Sequence, residues 1–365
     1  MIQLTRPQVI GYRTAAQGLL RDTASVGDLT VLDIGVQDSS GSGALALDAR
    51  LTSPPDCSSL ALAWTLRGAP HLHRRPELDR LAGALWPLSD PDALARLDAS
   101  ASMRKAGIGG LSGVGDAVEA MRRVVRAPTG KGAASTAVTA ATAPALHSYC
   151  RGCQATHIFD GLFRLVSLPA GIELEPGTAP PVLAPRDGAP HTAGPDPDAV
   201  RRLIRAYLTV LGPATPADVA GYLDARRADL MKLWPGDLEE VSVDGRTAWL
   251  PSEALTAARQ AGPARLTRLL GPFDPYLQAR DRDLIVPDSA VQKTLWPILG
   301  RPGVLFVDGE VVGTWRPKSA KARLDITVAP FAPPLPPPVR RAVRDEAQRV
   351  AIVRGAHDVN VIWSE

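Results

Sequence analysis

The stretch Pro195–Pro251 limits the fold more than any other part of the chain. From Asp198 to Val210 the apolar residues Val200, Leu203, Ile204 and Leu208 recur at helical spacing. Gly212-Pro213 stops that helix, because proline removes a backbone donor and crowds the preceding turn. Thr215-Pro216-Ala217-Asp218 then offers an N-cap followed by proline at the first helical position, opening a short helix to Leu223. A third short helix is expected over Ala228–Trp234, ended by Pro235-Gly236. "LEEVSVDGRTAWLP" follows, two strand-like runs around Asp244-Gly245, the pair that a type I′ turn favours. Helix, turn, helix, helix and hairpin with connections this short is the order of a winged helix-turn-helix.

Two earlier segments read alike, the N-terminal one in the same way and the middle one less regularly. Arg6–Leu20 is expected to be a helix, and Leu60–Arg75 ("LALAWTLRGAPHLHRR") has the strand character of a wing. In the middle part, Asp90–Leu97 and Gly113–Pro128 are expected helices, "TGKGAASTAV" a flexible connection and Phe163–Pro176 a strand-turn-strand. Pro180–Pro197 looks like a linker. The last hundred residues differ. "GPFDPYLQARDRDLIVP" is expected to be a charged loop, Gly303–Lys318 a hairpin around Asp308-Gly309, and "RRAVRDEAQRVAIVRG" a closing helix behind a Pro-rich connector. The resulting expectation is an α+β chain of three tandem winged helix-turn-helix units, over residues 1–88, 89–180 and 196–262, with a β-hairpin extension over 263–365.

At 365 residues the chain is too long for one small core. No apolar run approaches the ~20 residues of a membrane span, and the N-terminus lacks a signal-peptide core. Three cysteines make no disulfide framework. A cytoplasmic protein without membrane attachment is therefore expected. The formal charge is only +3, but 35 of the 41 basic residues are arginine, the better fork for phosphate oxygens. A GC-rich genome would produce the same bias. No phosphate-binding Gly-rich loop, dinucleotide fingerprint or G-x-S-x-G elbow occurs, which removes the commonest nucleotide-dependent and hydrolase readings. No cofactor is expected.

"VLDIGVQDSSGSGALALDAR" (Val31–Arg50) places Gln37 and Asp38 where a strand-like run gives way to a helix over Ala44–Arg50. Asp and Ser before a helix are ordinary caps, so the structural reading stands beside a catalytic one. Four potential zinc ligands occur as His147-x2-Cys150-x2-Cys153-x3-His157. Structural zinc sites take ligand pairs from two separated segments, whereas a helix would spread these four along its axis. A partly buried helix face is expected there, and no metal. His71 and His73 alternate, so on a strand they would share a face, with a catalytic or phosphate-contacting role for one of them standing beside a surface or packing role.

With these residues in view the chain resembles the AlkZ-like winged-helix DNA glycosylase family. The resemblance rests on "LTRPQVIGYR", "GVQDSSGSGALALDAR", "LAWTLRGAPHLH", "YLTVLGPATPADVAGYL" and "VDGEVVGTWRPK", in that order over nearly the whole length. It implies three winged helices with a concave, positively charged surface for duplex DNA. It also implies removal of alkylated purines, including unhooking of interstrand crosslinks. The family's catalytic motif is Gln-x-Gln or Gln-x-Asp. Aligning Asp38 with its acid puts Val36 at the first glutamine, and aligning Gln37 there puts Ser39 at the third position. Asp38 and Gln37 are the catalytic candidates, the first as charge stabiliser and general base and the second holding the water. Arg50, His71, His73, Arg122, Arg123, Arg316 and Lys318 are the expected DNA contacts. Arg316 and Lys318 lead a basic exit that continues to Lys321 and Arg323. A monomer is expected, because three wings in one chain need no dimer. The alternative is a non-enzymatic winged-helix DNA-binding protein or regulator, which would ordinarily dimerise on a palindromic site. A metal-dependent nuclease lacks a carboxylate cluster.

Overall fold

The computed structural model describes every residue except Ser40, Asp98, Ala99, Lys321, Ala322 and Glu365. The protein is a mixed α+β chain whose residues gather into two compact units, neither of them continuous in sequence. The first holds Met1–Ser58, Ala206–Thr215 and Asp237–Glu365, and the second holds Ser59–Arg205 and Pro216–Gly236. Residues 206–215 and 237–262 of the third expected winged helix thus count with the first unit, and 216–236 with the second.

In the first unit, helix Arg6–Ala16 starts at a capping box: the Thr5 hydroxyl accepts from the Gln8 N–H, and the Gln8 side chain accepts from the Thr5 N–H. Its buried face carries Val9 and Tyr12, which pack with Val241, Val243, Ala248 and Leu250. Those four belong to the hairpin Leu238–Val243/Arg246–Pro251, whose turn takes Asp244 to φ 48° and Gly245 to φ 85°, the left-handed pair a type I′ turn requires. Strand Ile2–Leu4 extends this hairpin in parallel. The second sheet has five strands in chain order: Thr267–Leu270, Gly303–Val307, Glu310–Ala320, Arg323–Pro330 and Asp358–Trp363. The first four are antiparallel and the last is parallel to its neighbour. Helix Pro337–Val353 covers it, burying Val343, Ala347 and Val350 against Leu305, Trp315, Leu324, Ile326 and Val328. Gly303 has no room for a side chain, because the Trp315 indole lies against it and donates to the Leu270 carbonyl at 2.9 Å.

In the second unit the strands run in the order Pro70–Arg74, Leu60–Trp64, Ile172–Leu174, Val182–Pro185 and Thr129–Gly130. Leu60–Trp64 is buried along its whole length, as its near-continuous apolar sequence requires. Helices Asp90–Arg96, Gly110–Val124, Lys131–Ala140 and Asp160–Leu165 belong to this unit. A separate two-stranded hairpin joins His147–Cys150 to Ala155–Ile158.

Several local expectations are corrected. "TGKGAASTAV" is largely helix, since its alanines favour helix over the flexibility suggested by Gly and Ser. Phe163 lies in a helix, with only Ile172–Leu174 extended. The expected linker contains strand Val182–Pro185. The charged loop holds a short 3-10 turn, Pro275–Gln278, and a one-turn helix, Arg282–Ile285. The Cys/His segment is the hairpin and not a helix face.

Candidate active site

The strand-like run before the junction shrinks to Val36–Gln37, and the helix begins earlier than expected, at Ser42–Asp48. Between them Gly41 takes φ 76°, a left-handed conformation that glycine accepts without cost. Ser42 braces the turn: its hydroxyl accepts from the Ser39 N–H at 3.0 Å and donates to the Gln37 carbonyl at 3.1 Å. The Gln37 side chain donates to the Ser39 hydroxyl at 2.9 Å. Oδ1 of Asp38 accepts the Gly43 N–H at 2.8 Å, in the first turn of the helix. The capping and the catalytic readings therefore fall on the same carboxylate. A negative charge there also faces the positive end of the helix. Both side chains are half-buried. Burial first, then the charges of Asp38 and Asp56, push the nearby Cys57 thiol up.

The junction helix is fixed to the C-terminal sheet of the same unit. Leu45 joins the core under helix Pro337–Val353. Asp48 pairs with Arg349 at 2.7 Å, and Arg268 donates to the Ala49 carbonyl at 3.2 Å. Arg50 is fully buried and makes two 2.8 Å bonds to Asp274, with further bonds to Ala46 and Gln17. A guanidinium in that position anchors the helix and offers nothing to a phosphate, which corrects its assignment as a DNA contact.

The histidines do share a strand face, with ring centroids 6.0 Å apart, but that face is interior. His73 Nε2 meets the Thr65 hydroxyl at 3.1 Å and His71 Nδ1 the Ala69 carbonyl at 2.9 Å. Burial holds His73 down to about 3 and His71 well below its ordinary value. Both are neutral packing groups here, not surface contacts. Arg122 is half-buried and ties down the Ala189 and Pro190 carbonyls. Arg123, Arg316 and Lys318 are exposed, and Arg316 also donates to the Gly300 carbonyl at 2.8 Å. Lys321 lies outside the described residues.

Two features escaped the sequence reading. One is Arg67, at φ 55° in the turn of the Leu60–Trp64/Pro70–Arg74 hairpin, with its guanidinium 4.7 Å from the Tyr222 ring centroid. It lines a cavity of about 270 Å³ with Arg96, Arg164, Asp160 and Asp224. The other is the convergence of Cys150, Cys153 and His157, whose ligand atoms all lie within 4.8 Å of one another. The backbone N–H of Cys153, followed by the His157 side chain, draws the Cys150 thiol down to about 7.

Comparison with known proteins adds the following. Residues 45–352 match the family model described as DNA glycosylase AlkZ-like. The match begins after the Gln37–Asp38 junction. The "Interstrand DNA cross-link repair glycosylase" of Streptomyces sahachiroi is 34% identical over 180 residues, 46% of each chain, so less than half of that relative's length is spanned. The solved structure of Streptomyces sahachiroi DNA glycosylase AlkZ superposes over 100% of both chains, with a TM-score of 0.76 and 22% identity, a likeness of fold.

Proposed function

Because the chain belongs to the AlkZ-like DNA glycosylase family, we propose that it is a monofunctional DNA glycosylase that hydrolyses the N-glycosidic bond of bulky N7-alkylated purines. It acts as a cytoplasmic monomer on duplex DNA, in repair or self-resistance, and accepts interstrand crosslinks. Three winged-helix units carry the DNA. The observation that carries this reading is the braced carboxylate of Asp38, held by Gly43 at a helix N-terminus beside the Gln37 amide. An N7-alkylated purine is a cation and leaves as a neutral base. What needs stabilising is the oxocarbenium-like sugar and the water that attacks it. Asp38 supplies negative charge to the first and accepts a proton from the second. Gln37 orients the water without adding charge. Fixing the carboxylate in advance avoids reorganisation at the moment of reaction.

In a second reading the chain binds DNA without chemistry, and the Asp38–Gly43 bond is only a helix cap. Incubation with duplex DNA carrying N7-alkylguanine, scored as abasic sites, separates the two. The native chain should release the base. Asp38→Asn keeps an oxygen for the Gly43 N–H and removes the charge, so it should abolish excision while leaving DNA affinity within about twofold. Gln37→Ala should do less harm. Equal excision by Asp38→Asn would end the catalytic assignment, and no excision of any such adduct would favour the binding protein.

A further inference from the structure

We propose that Cys150, Cys153 and His157 form a zinc site on the hairpin of the second unit, with a fourth coordination position open to the adjoining cavity. The register of the hairpin carries the first part of the argument. Cys150 lies opposite Ala155, and His157 lies opposite Ser148. Opposed residues share a face and so do residues two apart on one strand, so Cys150 and His157 project to the same side. Cys153 sits in the connecting turn, which Gln154 closes at φ 51°. The turn therefore folds the second thiol back toward the first. His147 lies opposite Ile158, on the other face, where its Nε2 meets the Thr142 hydroxyl at 2.9 Å. The register thus selects three of the four residues in the sequence cluster.

The chemistry of the donor set gives the ion. With Zn–S near 2.3 Å and Zn–N near 2.0–2.1 Å, a tetrahedral ion sets its ligand atoms roughly 3.5–3.8 Å apart. Ligand atoms already within 4.8 Å of one another need only side-chain adjustment to reach that. Two thiolates and an imidazole suit zinc better than a hard, oxygen-seeking cation. His157 Nδ1 is 2.7 Å from the Ile158 carbonyl, to which its N–H donates, leaving Nε2 as the ligand. Among the described residues no other set of three such groups converges.

The hairpin has its own reason to take an ion. A two-stranded sheet is marginal in water unless a face is covered. Here Tyr149 is 64% exposed, and among the strand residues only Ile158 is fully buried. An ion joining both strands and the turn would supply the missing cross-link. The cavity beside the site, about 890 Å³, is lined by the three ligands with Lys131, Thr136 and Asp160. Asp160 is already paired with Lys131 at 2.7 Å, so water takes the fourth position.

The test uses the full chain, stripped of metal under reductant and titrated with Co²⁺ and then Zn²⁺. The expected result is one equivalent of Co²⁺ with a thiolate-to-cobalt charge-transfer band, displaced by Zn²⁺. Cys150→Ser/Cys153→Ser should abolish the band. His157→Ala should weaken binding by at least about tenfold, and Cys57→Ser should leave it unchanged. Amide exchange in residues 147–158 should slow when Zn²⁺ is added, a readout independent of activity. Absence of the band in folded wild-type chain would overturn the proposal. So would a band that survives in the double variant, or a Cys150–Cys153 disulfide that persists in reductant.

Discussion

At the scale of single residues, two buried groups set stability. Arg50 and Asp274 have no exposed side-chain surface and pair at 2.8 Å. Removing one partner leaves the other charged and desolvated. Arg50→Ala should therefore cost about 3–5 kcal/mol in denaturant unfolding, and Arg50→Met with Asp274→Leu clearly less. A cost near zero for Arg50→Ala would show that the pair is not what seats the junction helix. Arg50 could not be read correctly from its neighbourhood, because its partner stands 224 residues away. His71 and His73 set the acid limit. Their pKa values are lowered in the folded state, to about 3 for His73. The unfolded chain then binds more protons, so stability is complete above about 6.5 and falls as the pH drops toward the folded values. Between pH 6.5 and 5 His73 alone should account for a loss of about 2 kcal/mol, measured as a falling urea midpoint, with His71 adding in the same direction. His73→Gln should flatten that dependence. The alternation of the two histidines was legible in "HLH", but whether their shared face looked inward was not, since that depends on the strands and helices laid over it.

Single elements were legible where local chemistry had one solution. Asp244-Gly245 and Asp308-Gly309 both form the expected turns, with φ of 48° and 85° and of 49° and 93°. The Cys/His hairpin was illegible because Cys-Arg-Gly-Cys-Gln carries no comparable turn signal and its strands lack alternation. Strand Asp358–Trp363 was hidden for a different reason: it is an edge strand that depends on Arg323–Pro330 for its pairing. The hairpin Gly303–Val307/Glu310–Ala320 also bears on DNA. Its tip acids would repel phosphates, but Glu310 pairs with Arg6 and Asp308 accepts from the Leu266 N–H at 2.8 Å. Arg316 and Lys318 remain exposed beyond it. Replacing both with alanine should weaken duplex binding on all sequences alike. The salt slope should fall by roughly one to two units. An unchanged slope with unchanged excision would leave this hairpin as part of the core only.

For the whole molecule, the compact units do not follow consecutive blocks of sequence. The chain leaves the first compact unit after Ser58 and returns to it at Ala206–Thr215 and from Asp237 onward. No composition shift marks those points, because they are fixed by long-range packing. The same packing decides how many cations are left for DNA. Arginine dominates the basic residues, yet many are committed internally: Arg13 to Asp281, Arg21 to Glu346, Arg50 to Asp274, Arg96 to Asp92 and Arg349 to Asp48. Arg201, in the cluster with Arg202 and Arg205, pairs with Asp198 at 2.7 Å. The count of arginines therefore overstates the charge available to phosphates. If three to six cations reach the backbone, the slope of log K against log salt should lie at roughly −3 to −5, since each contact contributes about −0.9. Fluorescence anisotropy with an undamaged duplex, over about 50 to 300 mM salt, measures it. Arg123→Ala and Lys318→Ala should each remove about one unit. A flat response would argue against duplex DNA as the partner. A slope near −10 would mean that arginines now paired with carboxylates near the surface also turn to phosphates.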